Sequence, residues 1–253
     1  MSVPKAKESQ IVSPMDDYKK TIYDTYISTH NRNLHGENSL AYVKPAAIEH
    51  YYGRHMPAEK SARILEIGCG DGYFVYHLQK KGYENTWGID VSPEQINKGR
   101  AMEINNLECG DFIEFLSNNA EPFDMIVAKD VIEHFTKQEA FDLLRLINRN
   151  LKKGGRFLMQ VPNGQGFFYS SIFYGDYTHE MAYTESSISQ VMLNTGFSSV
   201  QCFPTGPVPY GVKSGIRYVL WSLLVLRLKF WKMVETGSPQ GIFTQNIIAV
   251  AEK

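Results

Sequence analysis

Cysteine is scarce and poorly placed for chemistry. The three present, Cys69, Cys109 and Cys202, are odd in number and widely spaced, which excludes a disulfide framework and offers no metal-ligand spacing. Reduced thiols in a cytoplasmic protein are expected. Charge of one sign is lacking too: 26 Lys and Arg against 27 Asp and Glu leave a net −1, which argues against a general nucleic-acid binder. No apolar run reaches the roughly 18 residues of a membrane span. The first residues lack the apolar core of a signal peptide, and repeats and low-complexity tracts are absent.

Also missing is the third glycine of a dinucleotide fingerprint. Arg63-Ile64-Leu65-Glu66-Ile67-Gly68-Cys69-Gly70-Asp71-Gly72-Tyr73-Phe74 reads as a buried strand, a glycine turn and a helix start. A GxGxxG motif would need glycine after Gly72, where Tyr73 stands. Alternate glycines let the backbone bend and let a ligand approach without meeting a Cβ atom. The helix N-terminus then presents its amides. Glu66 would face the cationic end of a ligand, which suits the amino group of S-adenosylmethionine (SAM) better than a pyrophosphate.

Four further signals follow in order. Thr86 to Asp90 reads as a strand ending in an acid, with Val91 next and Ser92-Pro93 opening a helix. Asp90 lies about 20 residues past the turn, where a βαβ unit places the carboxylate for ribose hydroxyls. Leu107 to Cys109 precedes Asp111 and Phe112, a pair suited to adenine. Phe123 to Lys129 gives a fourth strand running into Asp130-Val131-Ile132-Glu133-His134. Leu151 to Pro162 gives a helix end, a glycine stop and a fifth strand. Glu66, Gly68, Cys69, Gly70, Asp90, Val91, Asp111, Phe112 and Lys129 are the expected cofactor-binding set.

Alternating strands and helices predict an α/β fold, a Rossmann-like, doubly wound, mostly parallel sheet of seven strands. Residues 1–15 read as disordered. Residues 16–61, rich in tyrosine and histidine (Tyr26, His30, His35 and Tyr42 among them), read as a helical lid. Residues 62–253 form the main domain. Helices are expected at 73–81, 93–104, 112–118, 138–151 and 185–195, with strands near 197–203 and 244–251. Within 204–241 lies a helix, 213–234, apolar almost all round with Arg217, Arg227, Lys229 and Lys232 at its edges. It would meet a membrane surface, a second copy of the chain or its own domain.

Two clusters could carry chemistry above the carboxyl ends of the strands. Asp130, Glu133 and His134 follow strand four, with His134 either a general base or a loop-shaping residue. Tyr174-Gly175-Asp176-Tyr177-Thr178-His179-Glu180 reads as an acceptor pocket or as a self-capped loop; its Asp176 and His179 could bind or deprotonate a hydroxyl. Pairs such as His134, His179, Asp130 and Asp176 could hold a divalent ion if they converge, but spacing does not show one. No metal is assigned.

The glycine motif, together with Tyr18-Lys19-Lys20-Thr21-Ile22-Tyr23, Tyr26-Ile27-Ser28-Thr29-His30, Asp130 to Phe135 and Tyr174 to Glu180, resembles the class I SAM-dependent methyltransferases. Together these segments look like a bacterial subgroup of that family found with surface-polysaccharide enzymes. The Asp-x-x-Glu-His signature is also similar to the O-methyltransferases of ubiquinone biosynthesis. The resemblance implies SAM held by Glu66, Gly68, Asp90, Asp111 and the Lys129 backbone. It further implies O-methylation of a sugar hydroxyl on a glycan or a nucleotide- or lipid-linked precursor. A small phenolic or prenylated acceptor is the alternative, and a non-catalytic SAM-binding assembly module the rival of another class. The expected location is cytoplasmic, with contact at the inner membrane face or a homodimer through 213–234.

Overall fold

The computed structural model describes residues 17–25 and 45–253. The expected disordered tail, and Tyr26, His30, His35 and Tyr42 of the expected lid, lie outside the described residues. Among the described residues two α-helices, α1 (Asp17–Asp24) and α2 (Pro45–Tyr52), precede the sheet, α2 starting at Pro45 as its fixed φ favours. Then β1 (Ile64–Ile67), α3 (Tyr73–Lys80), β2 (Thr86–Asp90), α4 (Pro93–Ala101), β3 (Leu107–Cys109), α5 (Phe112–Asn118) and β4 (Phe123–Lys129) alternate. They are followed by α6 (Lys137–Asn150), β5 (Leu151–Pro162), the short α7 (Tyr169–Phe173), α8 (Glu185–Asn194), β6 (Ser199–Pro204), α9 (Val212–Thr236) and β7 (Asn246–Glu252).

The seven strands lie in the order β3-β2-β1-β4-β5-β7-β6, parallel except for β7, which runs against both neighbours. Alternation on β1 and β4 supplies both faces. Leu65, Ile67, Ile126 and Ala128 meet α5, α6 and α8, while Ile64, Met125 and Val127 meet Ile48 and Tyr52 of α2 and Phe74 and Leu78 of α3. On α6, Ala140, Leu143, Leu144, Leu146 and Ile147 are buried. The four larger ones contribute about 1.5–3 kcal/mol each by burial, and a Thr136–Glu139 capping box sets the helix start.

Two boundaries differ from expectation. Strand β5 begins at Leu151, directly after α6, rather than beyond the Gly154-Gly155 stop. The glycines sit where the β4–β5 register slips between Phe123 and Met125, so they mark an irregularity within the strand. Helix α4 ends at Ala101, short of Ile104, and Glu103 just beyond it takes a left-handed φ of 58°.

Candidate active site

The turn after β1 makes the floor of the site. Gly68, Gly70 and Gly72 adopt φ of 63°, 57° and 78°, the left-handed region that side chains resist. A Cβ on Gly68 would also lie 2.4 Å from a Val131 methyl group. From beneath, Gly99 of α4 approaches so closely that its Cβ would lie 2.4 Å from the Asp71 carbonyl oxygen.

Above this turn, at the carboxyl ends of the strands, a cavity opens against Gly68, Gly70, Asp90, Val91, Asp111, Phe112, Asp130 and His134. Asp90 is pre-oriented: Oδ2 accepts the Gly70 amide and Oδ1 the Ser92 amide, both at 2.8 Å. Burial raises its carboxyl above the usual range, and the same two amides oppose that rise. Asp111 caps α5, its Oδ1 accepting from the Ile113 amide at 2.7 Å. The Phe112 ring packs edge-on against Phe135, 6.1 Å between centroids.

Other expected residues lie elsewhere. Glu66, 1% exposed, does not line the cavity. Its Oε1 lies 3.0 Å from the Lys129 ammonium, and neither oxygen has an aligned hydrogen bond. Burial pushes Glu66 up to about 6 against the pull of Lys129. The cation expected opposite Glu66 is thus one of the chain's own. Cys69 turns into the core with Val75 and Ile96, where burial pushes its thiol well up. Its side chain offers the cavity nothing.

The two expected catalytic clusters converge. Thr178 Oγ1 donates to Asp176 Oδ1 at 2.6 Å and stands 2.8 Å from His134 Nδ1. With its own proton given to the carboxylate, the hydroxyl must accept from His134 Nδ1–H, which leaves Nε2 of a neutral ring as a bare acceptor. Burial lowers His134 to about 4, with His179 adding to the effect, so the ring is neutral near pH 7. His179 Nδ1 lies 2.9 Å from the Phe173 carbonyl, to which it can only donate. Asp130, held at φ 55°, accepts from Gln160 Nε2 at 3.1 and 3.2 Å, and Gln160 accepts from Tyr52.

Glu133 is fully buried, neither of its oxygens has a hydrogen bond, and burial holds it well above the usual carboxylate range. One ligand atom each from Glu133, His134 and His179 lie within 4.8 Å of one another. One carboxylate and two imidazoles suit a first-row divalent cation such as zinc. The sequence reading, which assigned no metal, lacked this convergence.

Helix α1 closes one side. Lys19 and Tyr23 line the cavity, Lys19 donates to the His134 carbonyl at 2.7 Å and pairs with Glu180 at 3.0 Å, and the Tyr23 ring stands edge-on to His134. Sequence reasoning missed Lys19, Tyr23, Thr178 and Gln160 as site residues. Gln160 had a signal, a lone amide in the apolar run Phe157 to Val161.

The sequence profile of the family described as "Methyltransferase domain" matches residues 41–201. A ubiquinone biosynthesis O-methyltransferase of Xanthomonas axonopodis pv. citri is 26% identical over 135 residues, 50% of this chain and 53% of that protein. One of Methylobacterium sp. is 30% identical over 140 residues, 52% and 55%. The chain thus spans about half the length of these curated relatives. Among solved structures, a SAM-dependent methyltransferase from Archaeoglobus fulgidus superposes with a TM-score of 0.63 at 20% identity, covering 84% of this chain and 96% of that one. A DhpI–SAM–HEP complex gives 0.60 at 11% identity, covering 96% and 100%. Matched over more than half its length, the chain belongs to the methyltransferase-domain family and carries the SAM-dependent methyltransferase fold.

Proposed function

We propose that this protein is an O-methyltransferase that uses SAM to methylate the hydroxyl of a small phenolic or prenylated acceptor. The carrying observation is the line Asp176–Thr178–His134, which engages Nδ1 of a histidine that lines the cavity and leaves its Nε2 as the acceptor. The residues fit the cofactor: the left-handed glycine turn leaves room for it and Asp90 is already oriented for two ribose hydroxyls. Asp111 and Phe112 are suited to the adenine. When bound, SAM supplies a methyl carbon already activated by its sulfonium.

The protein's own work is positioning and proton transfer. His134 Nε2 takes the acceptor's hydroxyl proton, and Asp176, acting through Thr178, stabilises the imidazolium that forms. Tyr23, Val131 and Phe135 give the wall near His134 an apolar, aromatic character suited to a flat ring. Lys19 and Tyr23 make α1 a lid that limits water. The names of the curated relatives support a phenolic acceptor. In the expected sugar pocket, Asp176 Oδ1, the Thr178 hydroxyl and His179 Nδ1 are engaged with one another, with His134 and with the Phe173 carbonyl, which supports the ring acceptor over the sugar.

A second reading is favoured by the cluster of Glu133, His134 and His179. Here a divalent ion lowers the hydroxyl's pKa, and His134 is a ligand rather than a base.

The test is methyl transfer from labelled SAM to a prenylated catechol, run beside nucleotide- and lipid-linked sugars and read by mass spectrometry. Transfer to the catechol is expected. Transfer to sugars alone overturns the acceptor class, and SAM binding with no transfer to any of them favours the non-catalytic module.

A further inference from the structure

Helix α9, 25 residues long and about 37 Å at 1.5 Å per residue, spends only one face on its own domain. Ser214 is buried and Trp221, Leu224, Val225 and Leu228 are half-buried. On the opposite face Val212, Ile216, Val219, Leu223, Leu226, Phe230 and Met233 recur at steps of four and three residues, one continuous stripe. Each is between 44% and 83% exposed. A bare apolar band of this length is rare on a soluble monomer and marks a contact surface.

Charge decides what covers it. The stripe is flanked by Lys213 and Arg227 on one side and Lys229 on the other; Arg217 lies toward the domain, close enough to act on Tyr51, and Glu235 is the helix's single acid. Stripe spacing alone would also suit a second copy. Helical pairs normally set acids against bases at the flanking positions. Here Glu235 is the single acid on offer, so most flanking cations of a second copy would find no acid to pair with. An anionic surface accepts the stripe and the cations together. Trp231 and Tyr218, about half exposed, are of the type favoured at headgroup depth. No helix among the described residues is long and apolar enough to cross a membrane.

We propose that α9 docks this protein on an anionic lipid surface, lying in the headgroup plane with its stripe inserted and Lys213, Arg227 and Lys229 toward lipid phosphates. The inference goes beyond the methyl-transfer reading and stands without it.

The full chain is co-sedimented with vesicles of phosphatidylcholine alone and of phosphatidylcholine with phosphatidylglycerol, at low and high salt, beside light scattering. The protein should bind the anionic vesicles, hardly bind the neutral ones, and release as salt rises. Each cation is worth about five-fold in binding, so Lys213→Gln, Arg227→Gln and Lys229→Gln together should weaken it by about 10²-fold. Leu223→Glu with Leu226→Glu should abolish it. Circular dichroism and an unchanged SAM affinity verify that both variants fold. A salt-insensitive dimer without vesicle binding, equal binding to neutral vesicles, or full binding by the three-Gln variant would each overturn the proposal.

Discussion

Replacing Asp90 by Ala tests the cofactor assignment most directly. Its two oxygens already accept the Gly70 and Ser92 amides at 2.8 Å, so each keeps a lone pair for one ribose hydroxyl. A hydrogen bond to a charged group is worth about 1.5–3 kcal/mol, so two amount to roughly 3–6 kcal/mol. Water entering the open cavity would return part of this, and the expected loss of SAM affinity is about 10²-fold. The freed amides can also reach water, so the fold should lose only about 1 kcal/mol. Asp90→Asn refines the test. Its amide nitrogen cannot accept from a backbone N–H, so one of the two orienting bonds is lost and Asn should behave more like Ala than like Asp. Calorimetric titration with SAM, paired with circular dichroism, reads both variants. An affinity within about three-fold of wild type in a folded Asp90→Ala protein would refute the assignment.

His134→Gln should cut turnover by about 10²–10⁴-fold while SAM affinity holds. Thr178→Val, which severs the link to Asp176, should cut it less; a rate unchanged in both variants would remove the proton-transfer assignment. Because burial lowers His134 to about 4, the imidazole keeps its acceptor lone pair down to that region, and the acid limb of kcat/KM should fall near pH 4. A limb near the ordinary histidine value of about 6.5 would show that another group, or an exposed His134, governs the rate. Exhaustive chelation separates base from ligand: undiminished activity supports His134 as base, whereas loss restored by zinc or manganese supports the ion at Glu133, His134 and His179.

What the sequence made legible was local. Strand, turn and helix around Gly68 to Phe74 follow from adjacent residues. Asp90, Asp111, Asp130 and His134 were legible as ligand-facing because each ends or follows a strand, where open α/β sheets bind ligands. The illegible parts depend on long-range pairing. Thr178 gains its place only when the loop after α7 folds back to His134, 44 residues away. Glu133 was visible, but its lack of any hydrogen-bond partner is a property of the packed core. On α9 the sequence showed apolar residues nearly all round. Which face the domain would consume, and hence that the remainder forms a stripe with cations on both flanks, required the packing.

Glu66 and Lys129 show how such pairing changes a functional reading. An acid before a glycine turn suggests an anion awaiting a ligand's cation. Yet a carboxylate 1% exposed cannot wait unpaired without a large cost in desolvation. Burial raises its pKa to about 6 even with Lys129 beside it. A carboxyl raised in the fold contributes stability that is fully present below about pH 4.5 and lost as pH rises through about 6, roughly 2 kcal/mol in all. Lys129 limits that loss. It is still partly exposed and its ammonium also lies 4.3 Å from the centre of the Phe74 ring, a site that would hold a cation even without the acid. A ligand ammonium reaching Glu66 would therefore exchange one cation for another. Net affinity must come chiefly from groups that meet the cavity with lone pairs to spare, and Asp90 is the clearest of these.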